Sequence, residues 1–250
     1  MSALALLSTL AFIGIAILLS KWQKLGLERD LFIGTVRSTL QLLFVGYVLQ
    51  YVFNTNHPAL ILTMVVLMIG IASVNAAGRA KSHRGVFWRI AVTLLFTETI
   101  TMALLLGFHI IPPEPQYIIP VSGITIGSSM VVCGLLINQM KRETIASRGE
   151  IEALLALGAN ARQAIQEVLK RSVTFSMIPT VDTMKTIGLV QLPGMMTGMI
   201  IAGSSPVEAV KYQLLIMFIL TSSSAISSIM LGMISYGIWF TDDLRLRNIP

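Results

Sequence analysis

The stretch "GLVQLPGMMTGMIIAGSSP", residues 188 to 206, decides how this chain folds, because it places helix breakers inside a long apolar run. The run extends over residues 172 to 203, and as one straight helix it would exceed a hydrocarbon core of roughly 30 Å by about half. Pro179 and Pro193 each lack a backbone donor and clash with the preceding helical turn. We therefore expect the run to bend or break at these prolines and to cross the membrane once.

The composition indicates an all-α polytopic membrane protein. Of 250 residues, 54% are hydrophobic and 12% are charged, with a mean hydropathy of +0.78, whereas an ordinary soluble domain is roughly 25% charged. The net charge of +6 arises from loop residues, so no nucleic-acid partner is expected. Apolar blocks of roughly 20 residues predict about seven membrane-spanning helices. The expected spans are 2 to 20, 31 to 53, 59 to 77, 88 to 108, 118 to 138, one within 173 to 203, and 208 to 238.

Most basic residues lie in alternate loops, and Lys211 is the exception, just beyond the loop at 203 to 209. The loops "NTNHP" at 54 to 58, "HIIPPEPQ" at 109 to 116 and "GSSPVEA" at 203 to 209 contain no Lys or Arg. By the positive-inside rule the other loops face the cytoplasm. We therefore expect a multi-pass protein of the inner (cytoplasmic) membrane, with an uncleaved first helix, its N-terminus outside and its C-terminus in the cytoplasm. The basic residues between expected spans are Lys21, Lys24, Arg29, Arg79, Lys81, Arg84, Arg89, Lys141, Arg142, Arg148, Arg162, Lys170 and Arg171.

The long loop "SRGEIEALLALGANARQAIQEVLKR", residues 147 to 171, predicts a cytoplasmic helical hairpin within 140 to 172. Ser147 and Glu150 have the spacing of a capping box. Gly158 suits a helix C-terminus, and Asn160 can cap a second helix. The hairpin would present its apolar faces either to a partner protein or to lipid headgroups. Those faces comprise Ile151, Leu154, Leu155 and Gly158, and then Ala161, Ile165, Val168 and Leu169.

Polar residues within expected spans are candidates for a substrate pathway, because each is costly in lipid. Glu98 in "LFTETITMALLL" lines such a pathway or is a protonated acid packed between helices. Arg37 and Gln41 share one helix face, although Arg37 can instead snorkel to the interface. Asp182 and Lys185 can pair one turn apart, which suits either a pathway or a purely structural role.

Glycines and methionines distinguish the opening stretch. Gly194 and Gly198 form a G-x-x-x-G pattern, which lets another backbone approach closely. With the helix loosened before it, this segment is either a moving, substrate-lining element or a static kinked helix at a dimer interface. The nearby methionine thioethers either bind a soft metal ion or fill gaps in the bundle, so the metal ligands are undetermined.

No catalytic motif is present. The chain contains no G-x-x-x-x-G-K-[ST], H-E-x-x-H or G-x-S-x-G sequence, so we expect neither nucleotide binding nor hydrolase chemistry in it. The chain is therefore not expected to be an enzyme.

The run "MIPTVDTMKTIGLVQLPGMMTGMIIAGSSPVEAVKYQ" at 177 to 213, with "VRSTLQLLFVGYVLQYVF" at 36 to 53, resembles the FetB-type iron-export permeases. These are membrane subunits of bacterial ABC transporters related to plant aluminium-tolerance proteins. The resemblance covers essentially the whole chain and implies one permease domain over residues 1 to 250. It further implies a homodimer that exports iron or another metal, with ATP bound by a separate soluble subunit and no cofactor in this chain. The implied transport segment comprises Pro193, Gly194, Met195, Met196 and Gly198.

The sequence "EALLALG" resembles the E-A-A-x-x-x-G motif by which ABC permeases contact their ATPases. A Leu-Pro pair usually follows that glycine after about a dozen residues, whereas Arg171 occupies the position here and the first proline is Pro179. The resemblance implies that the hairpin contacts the ATPase through Glu152, Ala153, Leu154, Leu155 and Gly158.

Two other functions are compatible with the sequence. A gradient-driven secondary transporter would need no nucleotide motif and would use Glu98 as a proton carrier. Inverted repeats would favour that alternative, and none is evident in the sequence. A non-transporting membrane scaffold would use the hairpin only to recruit a partner.

Overall fold

The computed structural model describes residues 3–55, 57–79, 85–241 and 245–247. Its regular elements in these ranges are all helices, which confirms the all-α prediction. The chain divides into two compact units, one ending at His57 and the other beginning at Pro58. The first unit contains α1 (Ala3–Trp22) and α2 (Glu28–Thr55). The second contains α3 (Pro58–Arg79), α4 (Val86–Gly107), α5 (Pro115–Ala146), α6 (Arg148–Ala156), α7 (Ala161–Ala164), α8 (Gln166–Thr186), α9 (Gly194–Ile201), α10 (Pro206–Ser235) and the 3-10 helix Tyr236–Trp239.

Five helices in the described ranges are long and apolar enough to cross a membrane. They correspond to five of the expected spans, and the count of seven is not confirmed. The apolar part of α1, Thr9–Trp22, is shorter, and α8 carries charged residues near both ends. The five segments are Glu28–Phe53, Pro58–Gly78, Val86–Gly107, Pro115–Ala146 and Pro206–Trp239.

In the first unit, a short turn joins two helices that pack against each other. The Ser20 hydroxyl donates a hydrogen bond to Glu28 Oε1 at 3.1 Å and accepts one from the Leu27 N–H at 3.2 Å. The turn contains Lys24 and Gly26, both with positive φ, a conformation that glycine adopts without steric cost. The end of α1 is thereby tied to the start of α2.

In the second unit, α5 is the central helix and contacts α3, α4, α8 and α10. Buried side chains from these helices form a main core, which includes Leu94, Leu136 and Met140, and a smaller cluster that includes Leu105 and Ile216. The core continues into the α6–α7 segment through Ile151 and Ile165. Many outward-facing side chains of α3, α4 and α10 are large and apolar, as expected for a lipid-facing surface.

The apolar run at 172 to 203 breaks after α8. The helix passes through Pro179 and ends at Thr186, so the expected bend at Pro179 does not interrupt it. Gly188 then adopts φ 82°, which turns the chain, and Pro193 is the N-cap of α9. The break occurs where a glycine permits a left-handed conformation and a following proline starts a new helix.

The caps of the hairpin follow the sequence at two of three positions. Gly158 has φ 91°, and its N–H donates to the Leu155 carbonyl while that of Ala159 donates to the Leu154 carbonyl, as in a Schellman motif. Asn160 forms a reciprocal capping box with Gln163.

The predicted capping box at Ser147 is wrong. The Ser147 N–H donates to the Glu143 carbonyl, because α6 continues almost directly from α5. The backbone of Ser147, at φ −97° and ψ 19°, lacks the extended conformation that an N-cap residue needs. The Ser147 hydroxyl instead accepts a hydrogen bond from Arg171 Nη2 at 3.2 Å.

Truncating Ile151 is expected to destabilise the protein much more than truncating Leu157. Ile151 is 1% exposed within the core, whereas Leu157 is 85% exposed. Ile151→Ala should cost about 2–4 kcal/mol of unfolding free energy, because it leaves a cavity. Leu157→Ala should stay within about 0.5 kcal/mol. Thermal unfolding of both variants in detergent tests this, and equal effects would show that the hairpin does not pack as described.

Candidate functional site

A stripe of serines on α10 connects three neighbouring helices. These serines are buried, with at most 1% of each exposed. Each pairs with a hydroxyl on a different helix, α5, α4 or α8. In a membrane such hydrogen bonds between helices satisfy hydroxyls that no water can reach. The pairs are Ser224 with Ser128 at 2.7 Å, Ser227 with Thr97 at 2.9 Å, and Ser228 with Ser176 at 2.7 Å.

Glu98 lies beside this stripe, next to Thr97 on α4. It is 4% exposed, and its Oε2 accepts a hydrogen bond from the Thr125 hydroxyl at 2.7 Å. Its Oε1 is buried and has no hydrogen-bond partner among the described residues. The pathway candidate Glu98 is therefore buried between α4 and α5, with one oxygen available for a further partner.

A cavity of about 350 Å³ lies between α5, α8, α10 and the turn at 187 to 193. Ser128 and Ser176 belong both to its wall and to the serine pairs. Pro193 also lines it, so the broken apolar run contributes directly to the cavity. The helices that form its wall are thus held together by the hydroxyl pairs of α10.

The cavity wall combines apolar surface with uncharged polar groups. It includes the amides of Gln191 and Gln213 and the hydroxyls of Thr180 and Thr183. Gln213 Oε1 is buried without a hydrogen-bond partner in the described part of the chain. None of the described lining residues is Asp, Glu, Lys, Arg or His. A few polar groups in an otherwise apolar wall are typical of a small-molecule site.

The implied transport segment is divided between the cavity and an open surface. Pro193 caps α9, on which Gly194, Met195, Met196 and Gly198 lie. A Cβ atom added at either glycine would meet nothing within 4 Å among the described residues. The space beside these two glycines is therefore open, although α9 packs against α10 within the second unit.

The remaining pathway candidates are on the surface. Lys185 Nζ lies 3.9 Å from Asp182 Oδ1, and both side chains are more than half exposed. Arg37 and Gln41 are exposed on α2, in the first unit. The structure thus places only Glu98, of these five, in a buried polar environment.

The hairpin exposes most of the residues implied to contact an ATPase. Ala153, Leu154 and Gly158 are exposed, whereas Leu155 packs partly against the core. Glu152 accepts a hydrogen bond from Arg148 Nε at 2.8 Å, and both are about half exposed. Leu157, which the motif comparison left out, is the most exposed leucine of this segment.

The serine stripe was not identified from the sequence. The segment "TSSSAISS" at 221 to 228 does indicate it, because clustered hydroxyls in an apolar span are typical of contacts between helices. No comparable signal identifies the cavity, because Gln213 and Ser128 belong to distant elements. In the described residues, no group of three His, Cys, Asp or Glu side chains is placed to hold a metal ion.

Removing the Thr125 hydroxyl is expected to destabilise the protein. Thr125→Val leaves Glu98 Oε2 buried without its donor, which should cost about 1–3 kcal/mol. Thr99→Val is the matched control, because Thr99 is exposed and its hydroxyl donates only to the Leu95 carbonyl. Thermal unfolding in detergent measures both, and Thr125→Ser should restore stability. A Thr125→Val protein as stable as Thr99→Val would contradict the hydrogen bond.

The family model of the uncharacterised protein family UPF0014 matches residues 3–240. The chain is 44% identical to "UPF0014 membrane protein YjkA" of Bacillus subtilis over 99% of both chains. It is 37% identical to "Probable iron export permease protein FetB" of Escherichia coli, over 91% of this chain and 88% of that one. It is 34% identical to "Protein ALUMINUM SENSITIVE 3" of Arabidopsis thaliana, over 96% of this chain and 88% of that one. No solved structure matches it. This integral membrane protein belongs to the UPF0014 family.

Proposed function

We propose that this chain is the membrane permease subunit of an ABC transporter that exports iron or another metal from the cytoplasm. The observation that carries the proposal is the cavity of about 350 Å³, whose wall includes Pro193 of the broken apolar segment. Membership of the family supports it, since one relative bears the name of a probable iron export permease. ATP would be bound and hydrolysed by a separate soluble subunit.

The proposed topology has seven crossings, with the N-terminus outside and the C-terminus in the cytoplasm of the inner membrane. Counting α1 and α8 as crossings gives this number. The 21 residues of α8 extend about 31 Å, enough to cross, whereas the 8 residues of α9 extend only about 12 Å.

The proposed ATPase contact is the outward face of the α6–α7 hairpin, which would lie in the cytoplasm. Leu154 and Leu157 face outward there, while Ile151 anchors the hairpin in the core that also contains Met140 of α5. An apolar helix face of this kind suits insertion into a groove of a partner protein. Motion of the ATPase would then pass through a packed contact into α5.

The proposed assembly contains two copies of the chain. The exposed glycines Gly194 and Gly198 support this, because they leave room for a helix of a second copy to approach α9 closely. Closed two-fold dimers are also the commonest assembly of identical subunits.

Stimulated ATP hydrolysis by a cognate ATPase tests the function directly. The chain in proteoliposomes should form a complex with the ATPase and increase its turnover. Leu154→Asp combined with Leu157→Asp should reduce this stimulation about tenfold or more, equivalent to at least 1.4 kcal/mol of docking free energy. Leu25→Asp is the matched control, because Leu25 is an exposed leucine in another loop expected to be cytoplasmic.

The same assay separates the alternatives. If no complex forms with the ATPase, the ABC proposal fails, and a secondary transporter becomes the better explanation of the buried Glu98. A complex that forms without ATP-driven metal movement in the vesicles would instead indicate a scaffold. If Leu25→Asp also lost the stimulation, added negative charge anywhere on the cytoplasmic side would disrupt docking, and the hairpin face would have no special role.

A further inference from the structure

We propose that the cavity binds its metal as an electroneutral complex with a small organic ligand, rather than as a bare cation. This inference rests on the proposed export function and specifies the chemical form of the cargo. It follows from three properties of the cavity: the lack of charged side chains among its described lining residues, its size, and the kind of polar group in its wall.

The absence of charge argues against a bare cation. No described lining residue carries a carboxylate or an imidazole. Transferring an ion from water to an apolar site without opposite charge is very unfavourable. Divalent iron prefers imidazole, carboxylate or thiolate ligands, and the thioethers of Met184 and Met217 in the wall suit softer ions. A metal whose charge is already cancelled by its own ligands avoids this desolvation cost.

The size of the cavity also exceeds what an ion requires. Its volume of about 350 Å³ equals that of about a dozen water molecules at roughly 30 Å³ each. Sites of roughly 300–1,000 Å³ enclose organic ligands. A bare ion would leave most of this space unfilled, whereas a compact chelate would contact several walls at once.

The polar groups of the wall fit hydrogen bonding to an organic ligand. Gln213 Oε1 is buried and has no partner within the described residues, so a ligand donor can satisfy it. The Thr180 hydroxyl on α8 also lines the cavity, and a hydroxyl both donates and accepts. Uncharged donors and acceptors, surrounded by Val132, Leu135 and Leu220, match the surface of an electroneutral complex.

Equilibrium dialysis of the purified full chain tests the inference. The probes are ferrous iron alone, cuprous ion alone, and the neutral complex of ferrous iron with two glycinate anions, whose coordinated amines supply N–H donors for Gln213 Oε1, all under anaerobic conditions. Only the neutral complex should be retained. Gln213→Leu and Thr180→Val should each weaken its binding about tenfold, since each removes one polar partner. Thr99→Val should bind normally, because Thr99 lies outside the cavity wall, and the unfolding temperatures of all variants show whether they fold.

Each outcome decides between the two proposals. Retention of bare ferrous or cuprous ion that depends on Gln213 overturns the neutral complex while leaving metal export intact. Failure to retain the neutral complex, in a chain that still supports ATP-driven metal export, also overturns it. Retention that Gln213→Leu and Thr180→Val do not weaken places the complex elsewhere and overturns the site. Retention that both variants weaken supports the site, and if ATP then drives no export, only the proposed function fails.

Discussion

The second unit depends on the hydroxyl contacts of α10. In lipid there is no hydrophobic force between helices, so packing, small side chains and interhelical hydrogen bonds decide which helices associate. The serines of α10 provide two of these, because they are small enough for close approach and can still donate a hydrogen bond. Through Ser224, Ser227 and Ser228 the helix contacts α5, α4 and α8 in turn. The cavity and the buried Glu98 both lie beside these contacts.

Hydroxyl pairs are also suited to a bundle that changes conformation. Interhelical hydrogen bonds in membranes contribute on average only about 0.6 kcal/mol each, so exchanging one partner for another costs little. Ser128 and Ser176 join the cavity wall to α10, and the filling of the cavity can therefore bias these pairs. Pro179 in the same wall weakens the rigidity of α8 at the level of the cavity. A site held by weak, replaceable contacts fits the alternating exposure that transport requires.

Local sequence patterns predicted two hairpin caps and the break of the apolar run, whereas contacts between distant helices could not be predicted from the sequence. Gly158 and Asn160 behave as expected because their caps depend on a few neighbouring residues. Ser147 does not, since α5 leads almost directly into α6, which leaves Ser147 without the extended backbone of an N-cap, and its hydroxyl accepts from Arg171 instead. Glu98 was recognisable as a carboxylate in an apolar span. Gln213 was not, because its importance arises only when α5 and α8 are placed around it.

The hairpin and the cavity share their two supporting helices, which gives a physical route between them. Met140 of α5 lies in the hairpin core and Ser128 of the same helix lies in the cavity wall, about 18 Å away at 1.5 Å per residue. Arg171 lies in the second turn of α8. Its Nε is 3.5 Å from Glu143 Oε2 of α5, and its Nη2 is 3.9 Å from Glu150 Oε2 of α6. It occupies the position where Leu-Pro follows the E-A-A-x-x-x-G motif that the hairpin resembles. These ion pairs are partly exposed and contribute little, whereas Ile151, Met140 and Val168 lie in one buried core. Because of that packing, the hairpin, α5 and α8 would move together if a partner displaced the hairpin.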